Sequence, residues 1–146
     1  MISYQLEPLF TFVPNLAPLM EEHYKEIGDS SLEPHLDLPL YQGFETGGNL
    51  PILTVREDGK MIGYVVVFVK QHPHYKELCG FEDAYFLSSQ ARKRGVGREM
   101  IEKMLEHLKA RGVKKVFFHS KKKSSHKELF TTLGFGHSDE IWARKL

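Results

Sequence analysis

Ser88-Ser89-Gln90-Ala91-Arg92-Lys93-Arg94-Gly95-Val96-Gly97-Arg98 is the stretch that decides how the rest of this 146-residue chain reads. Before it, Phe81 to Leu87 is rich in aromatic and aliphatic residues and predicts a strand. After it, Met100, Ile101, Met104, Leu105 and Leu108 recur at helical spacing and predict a helix that stops at Gly112. The glycines therefore sit on a strand-to-helix turn. A helix start presents unpaired backbone N–H groups and the positive end of the helix dipole, so it attracts anions, and glycine lets an anion come close. Arg92, Lys93, Arg94 and Arg98 add charge around the same turn. Together these features predict a phosphate or pyrophosphate cradle built from the main chain of Arg92, Lys93, Arg94, Gly95, Val96 and Gly97, with Arg98 beside it.

The turn fits neither of two common nucleotide loops. A P-loop needs Lys and a hydroxyl after its second glycine, and both are missing at that spacing. A dinucleotide fold needs a third glycine where Met100 stands, and it starts on the first strand, whereas this turn lies past the middle of the chain.

Reading outward, Ser3 to Leu9 predicts a first strand. Asn15, after Pro14, predicts a helix N-cap, with Leu16, Leu19, Met20, His23, Tyr24 and Ile27 at helical spacing up to Gly28. Prolines and glycines between Asp29 and Asn49 leave room for a short helix around Leu40 to Glu45. Ile52 to Arg56 and Met61 to Val69 flank Asp58-Gly59, a hairpin turn in which both central residues need positive φ. The second of these runs is apolar on both faces and belongs at the centre of a sheet. Val113 to His119 predicts a strand, Ser125 to Leu133 a short helix, and the chain from Phe135 onward one or two terminal strands. The class is α/β, a single domain over residues 1–146 with a central mixed β-sheet flanked by helices.

Composition narrows the function. The chain is 41% hydrophobic and 27% charged, in the range of soluble globular domains, and its single Cys79 cannot form an internal disulfide. Neither a membrane-spanning run nor a signal peptide is legible, so membrane insertion and export are poor readings and a cytoplasmic location is expected. Net charge is +1 but lopsided: residues 92 to 127 carry 13 Lys and Arg against 3 acids, and residues 1 to 91 hold 5 bases against 13 acids. A field of one sign concentrates ligands of the other, so the basic block suits a polyanion and the acidic half a cation. Solvated faces explain the acidic half equally well but the basic block less well, because its charges sit around a glycine motif. A nucleic-acid surface is disfavoured because few stacking aromatics interleave with the basic block.

At this point the residues resemble the GCN5-related N-acetyltransferase (GNAT) superfamily, whose signature is Arg/Gln-x-x-Gly-x-Gly/Ala on a strand-to-helix turn. Leu87 before the loop, Arg111-Gly112-Val113 after its helix and the closing Leu133-Gly134-Phe135 extend the likeness, and the upstream elements follow the family's order. The chain is also similar to small acetyltransferase-like proteins of tailed phages, through His23, His74-Tyr75, Asp83 and the Arg92 loop; a phage-encoded member would work in the host cytoplasm. The resemblance implies a GNAT-like acyl-CoA N-acyltransferase fold that binds acetyl-CoA where two parallel strands splay apart. Backbone N–H groups from Arg92 to Gly97 would hold the pyrophosphate, and the main chain at Tyr85 and Leu87 would pair with the pantetheine arm. One or two of Lys121, Lys122 and Lys123 would reach the 3′-phosphate. A lysine run is more often merely solvated.

The implied reaction is direct transfer of acetyl to an amine in a ternary complex. A lysine-like ammonium has a pKa near 10.4, so a base must take its proton. Glu82 and Asp83 are the candidates. Alternation puts them on opposite faces and gives Asp83 the face of Tyr85 and Leu87, which favours Asp83; a bulge would reverse that choice. Phe130 stands where the superfamily often has a Tyr that protonates the departing thiolate, and Lys123 where it often has Asn. Either the thiolate leaves unassisted, or Tyr85, His119 or His126 substitutes, or the chain is a noncatalytic acyl-CoA-binding or protein-interaction module. His23, Glu26, Tyr41, His74 and Tyr75, with Glu22, are candidates to line the acceptor pocket, which with the acidic half suggests a cationic amine. His72-x-His74 lacks a nearby ligand at metal-binding spacing, so no metal is expected. A homodimer is an open alternative.

Overall fold

A computed structural model describes residues 1–122 and 125–146. The Asp58-Gly59 turn forms as its sequence requires, with φ of 49° and 83°, and closes a hairpin between β2 (Ile52–Glu57) and β3 (Lys60–Gln71). β1 (Ile2–Leu6), β4 (Leu78–Leu87) and β5 (Lys115–Phe117) complete a five-stranded sheet in the order β1-β2-β3-β4-β5. The first three pairings are antiparallel and the last is parallel. β3 is central, and from Met61 to Val67 every residue is buried, as its two-sided apolar run requires.

Two cores cover the sheet. On one face α3 (Val96–Ala110) lays Val96, Met100, Ile101, Met104 and Leu108 against Leu53, Val55, Val65, Val67 and Val69. Leu129, Phe130 and Leu133, in and just after the short α4 (Lys127–Thr132), pack on the same side. On the other face α1 (Leu9–Ile27) packs Leu9, Phe12, Leu16 and Leu19 against Ile52, Tyr64, Val66 and Phe86, with α2 (Leu38–Thr46) alongside. A single turn of 3₁₀ helix, Ser89–Ala91, links β4 to the glycine turn.

Four elements differ from the sequence expectation, the first being β1, which ends at Leu6 rather than Leu9 because the chain enters α1 after Pro8. α1 begins at Leu9, so Asn15 lies inside it rather than capping it; Pro8 is the N-cap, and Asn15 Nδ2 donates to the Thr11 carbonyl at 2.8 Å. Pro14 and Pro18 sit within the helix on its exposed side. Each removes an intrahelical hydrogen bond, which the apolar stripe Leu9, Phe12, Leu16, Leu19 and His23 outweighs by covering the sheet. The α1 N-terminus is also held from α2, where Glu45 accepts from the Leu9 N–H at 2.6 Å. β5 is shorter than Val113 to His119. Among the described residues no strand follows Phe135: residues 136–140 contain no apolar side chain to alternate, and Ile141 and Trp142 are 72% and 88% exposed.

Candidate functional site

β4 and β5 pair only from Cys79↔Lys115 to Phe81↔Phe117, after which β4 runs on to Leu87 without β5 beside it. The parting strands open a cleft of about 750 Å³ that reaches from α1 and α2 across β4 to the glycine turn.

The turn closes one end. Gly95 adopts φ +76°, a left-handed conformation that glycine accepts without strain, and so becomes the N-cap of α3. Among the described residues, none accepts a hydrogen bond from the backbone N–H groups of Lys93, Arg94, Gly95, Val96, Gly97 or Arg98. Val96 itself is buried in the α3 core, so its side chain anchors the turn. The basic side chains around the turn divide their work. Arg92 donates to the Leu87 carbonyl at 2.9 Å and to both Glu26 carboxylate oxygens at 2.7 and 2.9 Å, while its guanidinium covers the Phe86 ring at 5.6 Å. It therefore fastens the turn to β4 and α1. Arg94 points to Glu57 at 2.7 Å and does not line the cleft, and Arg98, on its rim, bridges Glu102 one helical turn on. Lys93 and Lys121 line the cleft. Lys123 lies outside the described residues.

The floor is β4, and its geometry corrects the alternation argument. The register with β3 jumps from Val66↔Ala84 to Val67↔Glu82, so Asp83 is the extra residue of a β-bulge. Asp83 then shares the α1–α2 side with Ala84 and Phe86 and accepts from the Tyr41 hydroxyl at 2.6 Å. Glu82, not Asp83, falls on the side of Tyr85 and Leu87, where one of its oxygens meets the backbone N–H and ring Nδ1 of His119 at 3.0 and 3.1 Å. Both carboxylates line the same cleft. They differ in access: the Glu82 side chain is 6% exposed, whereas Asp83 reaches solvent within the walled mouth. Burial pushes both carboxyl groups above the usual carboxylate range, against the opposing pull of His119 on Glu82 and of Tyr41 on Asp83.

Beside Glu82 the Tyr85 hydroxyl donates to the His119 carbonyl at 3.0 Å and lies 2.8 Å from His126 Nδ1. A hydroxyl has one proton, so with that proton on the His119 carbonyl the hydrogen between Tyr85 and His126 comes from Nδ1, which leaves Nε2 as the free nitrogen. Phe130 packs edge-on to Tyr85 at 5.7 Å. Burial, with Arg92 adding to it, lowers the pKa of His126.

His23, Glu26 and Tyr41 line the cleft as expected from sequence, but Glu26 is taken by Arg92 and the nearby Glu22 accepts from the Ser89 N–H at 2.9 Å. His23 is buried, stacks on Phe86 at 4.8 Å and lies 2.7 Å from the Tyr64 hydroxyl; burial lowers its pKa to about 4. His74 and Tyr75 do not line the cleft. They occupy the turn between β3 and β4, at the opposite end of β4, where Tyr75 is 71% exposed beside His72. Sequence reasoning missed Phe12 and Val13, which line the cleft from the part of α1 before Asn15, along with Leu36 and Tyr64. The spacing of Leu9, Phe12 and Leu16 carried that signal, but Pro14 obscured it.

The family model for the GNAT family of acetyltransferases matches residues 16–135, which include the glycine turn, the bulged strand and the cleft between them. The chain belongs to the GNAT family. No curated protein sequence matches it. Solved structures share the GNAT fold over nearly their whole length. Glucosamine-6-phosphate N-acetyltransferase from Arabidopsis thaliana superposes with a TM-score of 0.77 at 13% identity, covering 99% of this chain and 98% of that one. Ribosomal-protein-alanine N-acetyltransferase from Brucella melitensis gives 0.76 at 15%, covering 99% of both chains. A predicted acetyltransferase from Clostridium acetobutylicum, with acetyl-CoA, gives 0.77 at 15%, covering 99% and 96%. GNAT acetyltransferases use acetyl-CoA. The six N–H groups without acceptors, backed by Lys93 and Lys121, fit the anionic end of such a molecule in this chain.

Proposed function

We propose that this GNAT protein transfers an acetyl group from acetyl-CoA directly to the nitrogen of an amine bound in the same cleft. The observation that carries the proposal is the run of N–H groups from Lys93 to Arg98 opening onto a strand whose exposed segment presents two carboxylates. The backbone cradle would hold the pyrophosphate, and β4 from Glu82 to Leu87 would flank the pantetheine arm. Acetyl-CoA supplies an activated thioester carbonyl, and the chain has to place and deprotonate the amine. Asp83 meets an incoming ammonium first, because it is the accessible carboxylate. Its raised pKa makes it a stronger base than an ordinary Asp, and Tyr41 fixes its orientation. Glu82 orients His119 and is the second candidate base. The Tyr85–His126 pair, beside Phe130, is placed to return a proton to the leaving sulfur from the Tyr85 hydroxyl, which the His126 Nδ1–H can replenish.

The acceptor reaches the cleft as a cation because amines are protonated at neutral pH, and a single carboxylate at the bulge receives it. The test is release of CoA thiol from acetyl-CoA with and without a panel of primary amines. Amine-dependent release with stoichiometric N-acetyl product supports the reading. Tight acetyl-CoA binding with only slow hydrolysis across the panel overturns it in favour of a noncatalytic acyl-CoA-binding module, the alternative that Phe130 keeps in view.

A further inference from the structure

The cleft has two unlike walls. On the α3 and β5 side stand Lys93, Arg98, Lys121 and the free N–H groups, a lining for an anion. On the α1 and α2 side the lining is Phe12, Val13, Leu16, Met20, Leu36 and Tyr41, with Tyr64 and Val66 from β3 behind them. Acidic residues at the rim of this second wall already have partners. Glu22 accepts from the Ser89 N–H, Glu26 from Arg92, and Asp29 from the Ser31 N–H and hydroxyl at 2.9 and 2.6 Å. His23, neutral at pH 7, adds no charge. Of these acids, Glu26 is neutralised by Arg92, while Glu22 and Asp29 bond neutral donors at the rim and keep their charge; Asp83 is the carboxylate on the floor of this side, held by the neutral Tyr41 hydroxyl.

We infer that the acceptor is a primary monoamine carrying an apolar arm, an alkylamine or arylalkylamine, with its nitrogen at Asp83 and its arm against Phe12, Val13, Leu16 and Leu36. This rests on the acetyltransferase reading above. A polyamine or an amino sugar lying along the arm's path would press further charges or hydroxyls onto Phe12, Val13, Leu16 and Leu36, whose side chains offer them no hydrogen-bond partner, and a buried polar group without a partner is costly. A monoamine leaves nothing unpaired, and each methylene removed from water tightens binding by about fourfold. The same wall has one rival occupant, a longer acyl chain on CoA.

The test uses the full chain and two readouts. NMR first follows the Leu16 and Leu36 methyl groups as butylamine, hexylamine, phenethylamine, 1,3-diaminopropane and glucosamine are added without CoA. Steady-state CoA release then gives KM for each amine with saturating acetyl-CoA. Methyl shifts for hexylamine and phenethylamine are expected, with KM falling about fourfold per added methylene and KM for the diamine and the sugar at least tenfold higher than for hexylamine. Leu36→Glu, a substitution at a half-buried loop position, is expected to raise KM for hexylamine about tenfold and to lower it for the diamine, with acetyl-CoA affinity retained. The diamine or the sugar matching hexylamine in the native protein overturns the inference. So does tighter binding on replacing acetyl-CoA with hexanoyl-CoA without a gain from longer amines, which assigns the wall to the acyl chain and leaves the acyltransferase reading standing. Failure of acetyl-CoA itself to bind removes both.

Discussion

At the scale of single residues, the chemistry turns on one bulge. Asp83 faces α2 because β4 carries one residue more than β3 can pair, and that extra residue brings its carboxylate to the Tyr41 hydroxyl. Asp83→Asn keeps the shape and removes the basic oxygen, so kcat is expected to fall by roughly 10² to 10⁴ with acetyl-CoA affinity unchanged. Because burial raises the Asp83 pKa, the native rate declines as pH drops through that raised value, and the variant loses this limb of the profile. An unchanged kcat moves the base to the Glu82–His119 pair. His23 gives a second prediction with a definite sign. Its pKa is about 4 folded and near 6.5 unfolded, so the unfolded chain binds the extra proton between those values. The stability this contributes is complete above about pH 6.5 and lost as pH falls toward 4, by at most about 3 kcal/mol. Urea unfolding at pH 7 and pH 4.5 measures it, and His23→Gln is expected to flatten the difference. The bulge was not legible in sequence. Glu82-Asp83-Ala84 reads as plain alternation, and only the pairing with Val66 and Val67 across the sheet shows where the extra residue falls.

At the scale of elements, legibility follows the range of the interaction that decides each one. The Asp58-Gly59 turn and the glycine turn between strand and helix are set by backbone preferences of one or two residues, and both form as read. The start of α1 is decided by how far its apolar stripe reaches over the sheet, and local proline chemistry pointed to the wrong residue. His74 and Tyr75 were placed by chemical type alone, and the direction of β4 carries them away from the cleft. The sheet's entry into α1 rests on another long-range pair. Arg56 of β2 bonds both oxygens of Glu7 at 2.7 and 3.0 Å, with side chains 12% and 6% exposed, which holds the Glu7 carboxyl below its usual range. Glu7→Gln strands the Arg56 charge in a buried site and is expected to cost about 3 to 5 kcal/mol in chemical denaturation. The native contribution of this pair is present above the unfolded Glu pKa and is lost as pH falls below it. A cost within experimental error would show that Arg56 finds other partners.

At the scale of the whole molecule, the charge asymmetry acquires a structural meaning. The acidic N-terminal half and the basic block pair with each other, Glu26 with Arg92 and Glu57 with Arg94, across separations of 66 and 37 residues. Part of the acidic charge that suggested a cationic acceptor is therefore spent holding the glycine turn against α1 and β2. The N–H groups from Lys93 to Arg98 keep their partial positive charge, with no acceptor among the described residues. The most direct test of the account is calorimetric titration of acetyl-CoA and CoA into the native protein and Gly97→Glu. Gly97 lies in the first turn of α3, where only the Leu87 side chain comes within 4 Å of an added Cβ. A carboxylate is tolerated at a helix N-terminus, so the variant is expected to fold and to fill the cradle with negative charge. Binding by the native protein that Gly97→Glu weakens at least a hundredfold, with unchanged circular dichroism, is the predicted result. Equal binding by both proteins, or none by the native chain, would contradict the account.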